Sequence, residues 1–365
     1  MKIAEVISFL ESLAHPSLQE HYDNAGLLTG DPDWKCEGIV CSLDAIEEVV
    51  NEAIQKKCNL IVAHHPIIFG GLKKINGKNY VEKTIINAIK NDIAIYAIHT
   101  NLDNVIAGVN GRVAKMMGLG NVTVLAPKED TLKKLFTFVP VDKAEQVRNA
   151  IFIAGAGHIG NYSEGSFNVE GEGTFKAEEG TNPYVGDIGK RRNEKELKIE
   201  VILPAYLENK IVVALKAAHP YEEVAYDVLK LSNPNHWVGS GVIGMLSEPL
   251  KEKDFLARLK SIFHLKLVKH TAFSGNPVQK VAFCGGAGSF LVSKALAAGA
   301  DAYVTADMKY HEYFDADSRM LIADIGHYES EQFTINLLHE ALEQKFTTFA
   351  VLKTEVETNP VRYFF

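Results

Sequence analysis

The feature that most restricts the fold is an alternation of short apolar runs of strand length with segments of helical, 3.6-residue spacing. EGIVCSLD is followed by AIEEVVNEAIQKK, NLIVAHH by NYVEKTIINAIKND, and IAIYAIHTNLD closes the series. Such βα repeats require a parallel or mixed sheet with helices laid on its faces. The helix-like GVNGRVAKMMGLG comes next, and then the texture changes. KLFTFVP reads as a strand, DKAEQVRNAIFIAG as a helix, and NYSEGSFNVEGEGTFKAEEGTNP alternates as antiparallel strands do. After the charged GDIGKRRNEKE come LKIEVILP, LENKIVVALKAA and VAYDVLKL. The order β-α-β-β-α-β is that of a ferredoxin-like module. The first texture then returns in VQKVAFCGG, SFLVSKALAAG, ADAYVTAD, MLIADIGH and SEQFTINLLHEALEQ, and KFTTFAVLKTE adds a last strand. The expected fold class is α/β, with residues 1–126 and 241–365 forming one core split by an inserted ferredoxin-like α+β domain over 127–240.

In parallel α/β sheets, ligands bind beyond the carboxyl ends of the strands. His64 and His65 leave NLIVA, His99 and Asp103 leave IAIYAI, Asp307 leaves AYVTA, and His327 leaves LIADIG. His327 and Glu331 are four apart at a helix start, so both side chains lie on one face. His64 and His65 are neighbours, but Pro66 takes the chain out of the sheet and lets the two imidazoles diverge toward different ions. His64, His65, Asp103, His327 and Glu331 suit a pair of divalent transition ions bridged by a carboxylate. Imidazole favours zinc first, with iron, nickel, cobalt or manganese next, over magnesium or calcium. Asp103 has a competing role as a turn cap, and Glu331 as a stabiliser of the helix start. Neither role accounts for the histidines.

Other motifs carry less. GAGHIG, residues 155–160, has the letters of a dinucleotide loop but follows a helix and precedes polar strand texture, so it is read as punctuation of the insert. CGGAGS, residues 284–289, lies between a strand and a helix. It is read equally as a phosphate-holding turn and as a tight turn for close packing. His264, His270 and His311 are read as satisfied polar residues. HPYEEVAYD, residues 219–227, is assigned to turns and interfaces, and Lys190, Arg191 and Arg192 to a solvated loop.

Lys plus Arg number 38 against 46 Asp plus Glu in 365 residues, a net charge of -8. That balance disfavours a nucleic-acid partner, which needs clustered basic groups. The four cysteines, Cys36, Cys41, Cys58 and Cys284, show no paired spacing, which fits a reducing cytoplasm. MKIAEVISFLESLAHP carries Glu5 and Glu11 and reads as an amphipathic helix instead of a signal peptide. No apolar run approaches the ~20 residues that cross a bilayer, so no membrane role is expected.

DNAGLLTGD, VAHHPIIF, IHTNLD, GGAGS, TADMKYH and GHYESE occur here in that order. Together they resemble the Nif-three-like family, whose members are also labelled GTP cyclohydrolase 1 type 2 homologues, over essentially the whole chain. The long bacterial form has a central insert similar to the PII and CutA proteins, which are ferredoxin-like trimers. The resemblance implies a Nif-three-like α/β core, a dinuclear metal site and a toroidal homohexamer whose inserts trimerise. Its ligands would be His64, His65, Asp103, His327 and Glu331, with Glu331 shared by both ions. His99, Asp307 and His311 would support the ligands or face substrate. The expected activity is metal-dependent hydrolysis of a nucleotide or related small molecule, of the cyclohydrolase or phosphoesterase type. The alternative is a non-catalytic metal-binding regulatory or scaffold ring with a sensing insert.

Overall fold

The structure, a computed structural model, describes residues 1–364. In chain order the strands are β1 (Gly26–Thr29), β2 (Ile39–Asp44), β3 (Leu60–His65), β4 (Ala94–Ala97) and β5 (Gly120–Pro127), then β6 (Leu132–Pro140), β7 (Ser166–Lys176), β8 (Arg191–Pro204) and β9 (Tyr226–Lys230). The last are β10 (Gly239–Leu250), β11 (Lys269–His270), β12 (Val278–Ala287), β13 (Ala302–Ala306), β14 (Leu321–Asp324) and β15 (Val351–Lys353). Met1–Pro127 and the chain from His236 onward make one compact unit, and Lys128–Asn235 make the other.

The first unit holds two sheets where the alternation suggested one. A five-stranded sheet runs β1-β4-β3-β2-β15, and a six-stranded sheet runs β11-β14-β13-β12-β10-β5. Strands β15, β2, β3 and β4 are parallel, as are β12, β13 and β14, while β1 and β11 each add an antiparallel edge strand and β10 and β5 extend the second sheet antiparallel. Leu60–Ala63 are wholly buried, as expected for parallel strands covered on both faces. The two halves of the unit are interlocked. β15, from the C-terminal half, pairs with β2. The helix Thr334–Lys345 sets Leu338 and Leu342, both fully buried, among core residues of the first sheet such as Leu60 and Val62. Burying a leucine contributes about 1.5–3 kcal/mol, so this helix holds the carboxyl end of β14 near that of β3.

The second unit is a four-stranded antiparallel sheet of order β7-β8-β6-β9. With helices Ala144–Ile153 and Glu208–Ala218 this is the ferredoxin-like arrangement. Ile199, Val201 and Leu203 alternate along β8 and pack on Val147, Ile151, Ile211 and Leu215 from the helices. Arg191 and Arg192 are exposed as expected, but they open β8, paired with Lys176 and Phe175, instead of lying in the loop. In GAGHIG the Gly157 N–H donates to the Ile202 carbonyl, which ties the turn to the sheet. No described helix is long and apolar enough to cross a membrane.

Candidate metal centre

His64 is fully buried at the end of β3. Its Nδ1 lies 2.9 Å from the Ile98 carbonyl, which can only accept, so the proton sits on Nδ1 and the Nε2 lone pair is free. Burial pushes this imidazole down to about 3, so it is neutral at ordinary pH. Nε2 has no hydrogen-bond partner, and neither does Asp103 Oδ1, 3.6 Å away. A buried polar atom left unpaired costs about 1–3 kcal/mol. Two such atoms facing each other point to a cation between them.

His65 and His327 repeat the pattern with bracing carboxylates. His65 Nδ1 donates to Asp44 Oδ1 at 2.8 Å, and His327 Nδ1 to Asp307 Oδ2 at 2.6 Å. Both Nε2 atoms face Glu331 Oε2, at 3.0 and 3.2 Å, and lie 3.3 Å from each other. Two N–H donors cannot face one another usefully at that separation, whereas two lone pairs can converge on an ion. Ligand atoms bonded at ~2.1 Å in a tetrahedral arrangement are about 3.4 Å apart, close to the observed spacings.

Glu331 is 3% exposed, and its Oε1 lies 4.0 Å from His64 Nε2. Burial pushes its carboxyl up, but hydrogen bonds from His327 and His65 outweigh this and hold it well below the usual range. Asp103 moves the other way: burial, then the Glu331 carboxylate, raise it well above. Burial also lowers His65 and His327, yet their carboxylate partners carry them to about 9 and about 11. The carboxylates thus favour positive charge at this point, and a metal ion bound there would take the place of the Nε2 protons. Among the described residues three groups of ligand atoms lie within 4.8 Å of one another: His64–Asp103–Glu331, His65–His327–Glu331 and His64–His65–His99. Each could hold a metal ion, and the first two share Glu331.

Asp23 and Asp44 were not singled out from the sequence. Asp44 ends β2 directly beside His65 in the parallel ladder, so matched strand ends were its available signal. Asp23, within DNAGLLTGD, accepts from His99 Nδ1 at 2.8 Å and from the Thr100 hydroxyl. Burial raises the Asp23 carboxyl, but these bonds bring it down to about 2. Asp307 adopts a left-handed backbone, φ 54°, as it leaves β13; that strain is tolerable for Asp and accompanies its bond to His327. His311 is exposed and stacks on Phe314, away from the cluster's lining.

Two of the CGGAGS backbone donors are already engaged within the fold. The Gly285 N–H donates to Asn110 Oδ1 at 3.0 Å, and the Gly286 N–H to Ser330 Oγ at 2.9 Å. Instead the two glycines make room for Glu331: a Cβ on Gly286, whose φ is +62°, would lie 2.5 Å from Glu331 Oε1. The cluster floors a cavity of about 830 Å³ whose lining includes Tyr22, Phe69, Phe290 and the late segment around Asn359–Val361. Lys269, tied to Asp324 at 2.6 Å, is the sole Lys or Arg among its described lining residues.

The sequence model of the family described as Duf34/NIF3 (NGG1p interacting factor 3) matches residues 1–360. A Halalkalibacterium halodurans protein named GTP cyclohydrolase 1 type 2 homolog is 40% identical over 371 residues, covering 100% of both chains. A Bacillus subtilis protein of the same name is 35% identical over 369 residues, with 98% of each chain covered. The crystal structure of a Bacillus cereus protein related to NIF3 superposes with a TM-score of 0.88 at 40% identity, over 100% of this chain and 99% of that one.

Proposed function

The chain belongs to the Duf34/NIF3 family, and from that premise we propose that it is a two-metal hydrolase acting on a nucleotide or related small molecule. The observation that carries this reading is Glu331, whose two oxygens face two different sets of ligand atoms. His64 and Asp103 would hold one ion, His65 and His327 the other, and Glu331 both. Zinc is the first choice for this imidazole and carboxylate set, ahead of iron, nickel, cobalt or manganese. Bound there, paired divalent ions supply water of lowered pKa and polarise the bond under attack.

The chain's own residues do the rest. Asp44 and Asp307 fix the orientation of His65 and His327, and the Ile98 carbonyl fixes that of His64. Asp23 holds His99 at the cavity wall. The aromatic lining suits a planar ring, while the scarcity of Lys and Arg leaves an anionic group to the metal end.

The proposal is tested by incubating purified protein with a nucleotide panel and each divalent ion. At least one compound should be consumed, with release of phosphate or formate, and His64→Ala should lose one ion and turnover together. Binding across the panel without consumption would overturn the hydrolase reading in favour of a regulatory metal-binding ring. Turnover surviving complete metal loss would overturn the metal's role. Asp44→Asn should weaken metal binding about 10–100-fold in competition with a chromogenic chelator, since His65 loses its charged brace. An unchanged affinity would remove Asp44 from the site's support.

A further inference from the structure

The insert has a cavity of its own, about 710 Å³, within the size range of small-molecule sites. Phe175 from β7, Tyr184 from the following loop and Tyr221 from the turn after Glu208–Ala218 form tilted pairs in its wall. Ring centroids are 5.8 Å apart for Phe175 and Tyr221, and 6.2 Å for Tyr184 and Tyr221. Glu222 Oε2 accepts from the Asn182 N–H at 2.9 Å and so fastens the loop that carries Tyr184.

Beneath the rings lies Glu196 of β8, only 8% exposed. Its Oε1 accepts from the Tyr221 hydroxyl at 2.8 Å, and no other side-chain hydrogen bond or ion pair is made by this carboxylate among the described residues. A Cβ on Gly173 would collide with Oε2, so the glycine leaves space for that oxygen at the cavity. The lining carries six glutamates against two lysines. Both lysines are already engaged: Lys198 pairs with Glu200 at 2.6 Å and stands over Phe136, and Lys176 lies 3.3 Å from Glu178.

We infer that this cavity binds an organic cation, an ammonium group with apolar substituents, caged by Phe175, Tyr184 and Tyr221 and neutralised by Glu196. A buried carboxylate with a spare oxygen is costly unless a positive group meets it. Aromatic faces attract ammonium ions through their quadrupole. A metal ion fits less well, because the walls are largely hydrocarbon and a second ligand set is lacking.

The test is calorimetric titration of the full chain with choline and with its neutral carbon isostere, 3,3-dimethyl-1-butanol. Choline should bind with a Kd near or below about 1 mM and the isostere about tenfold or more weaker. Glu196→Gln should weaken choline by about tenfold or more, and Tyr184→Leu, at a 46% exposed position, by several-fold at unchanged circular dichroism. The inference is overturned if neither choline nor spermidine binds, if the isostere binds as tightly as choline, or if both folded variants bind choline like the parent.

Discussion

Glu331→Gln should leave the protein unable to retain either metal ion, whereas His64→Ala should leave one behind. The contrast follows from where the atoms lie. His64 and Asp103 face Glu331 Oε1, and His65 and His327 face Oε2, so one carboxylate serves both sets. Glutamine keeps the volume that packs against Gly285 and Gly286 but removes the charge. Removing one member of a buried charged cluster typically costs about 3–5 kcal/mol, more than a hundredfold in affinity. Metal content after gel filtration, read by plasma mass spectrometry, should fall from two equivalents to near none. The rise in Tm on adding metal, equivalent to about 2.7 kcal/mol at a hundredfold excess over Kd, should vanish with it. One tightly held ion in Glu331→Gln would show that the carboxylate is not shared.

Much of this site is legible in the sequence because of how parallel sheets work. Polar residues at the ends of apolar runs mark the carboxyl edge, which exposed His64, His65 and His327, and the i,i+4 spacing added Glu331. The spacing of IHTNLD placed Asp103 in the exit loop of β4, on the same edge as the histidines, which made it a candidate ligand. The braces were harder to see because they depend on register. Asp44 meets His65 only because β2 and β3 pair with those two residues opposite each other. The division of the core into two sheets was hidden for a similar reason: apolar alternation reports that strands are buried, not which neighbour each one finds. The interlock through β15 and Thr334–Lys345 joins segments more than 250 residues apart in sequence, such as Val351 and Ile39. The insert was easier. Only β7 and β8 pair as chain neighbours, but the β-α-β-β-α-β order fits the ferredoxin-like arrangement, and the helices cover one face of an alternating sheet.

CGGAGS shows why a motif's donors must be read with their partners: the Gly285 and Gly286 N–H groups are both used inside the fold. Its two leading glycines also leave volume for Glu331, which leads to a substitution that replaces no ligand: Gly286→Ala should empty the centre nearly as fully as Glu331→Gln. Alanine at φ +62° carries a backbone penalty of about 1–2 kcal/mol. Its Cβ would also lie 2.5 Å from Glu331 Oε1 and 3.3 Å from His327 Cε1. The neighbour that must give way is the carboxylate between the two ligand sets, and a shift of 1 Å there separates it from one or both. Unfolding in denaturant should show a loss of about 1–3 kcal/mol, and metal content should drop below one equivalent. A double-mutant cycle separates lost packing from lost ligation. If the glycine acts through Glu331, adding Gly286→Ala to Glu331→Gln should remove little further metal affinity. Full metal occupancy in folded Gly286→Ala would show instead that the carboxylate can be moved without loss, and would sink the role assigned to this glycine.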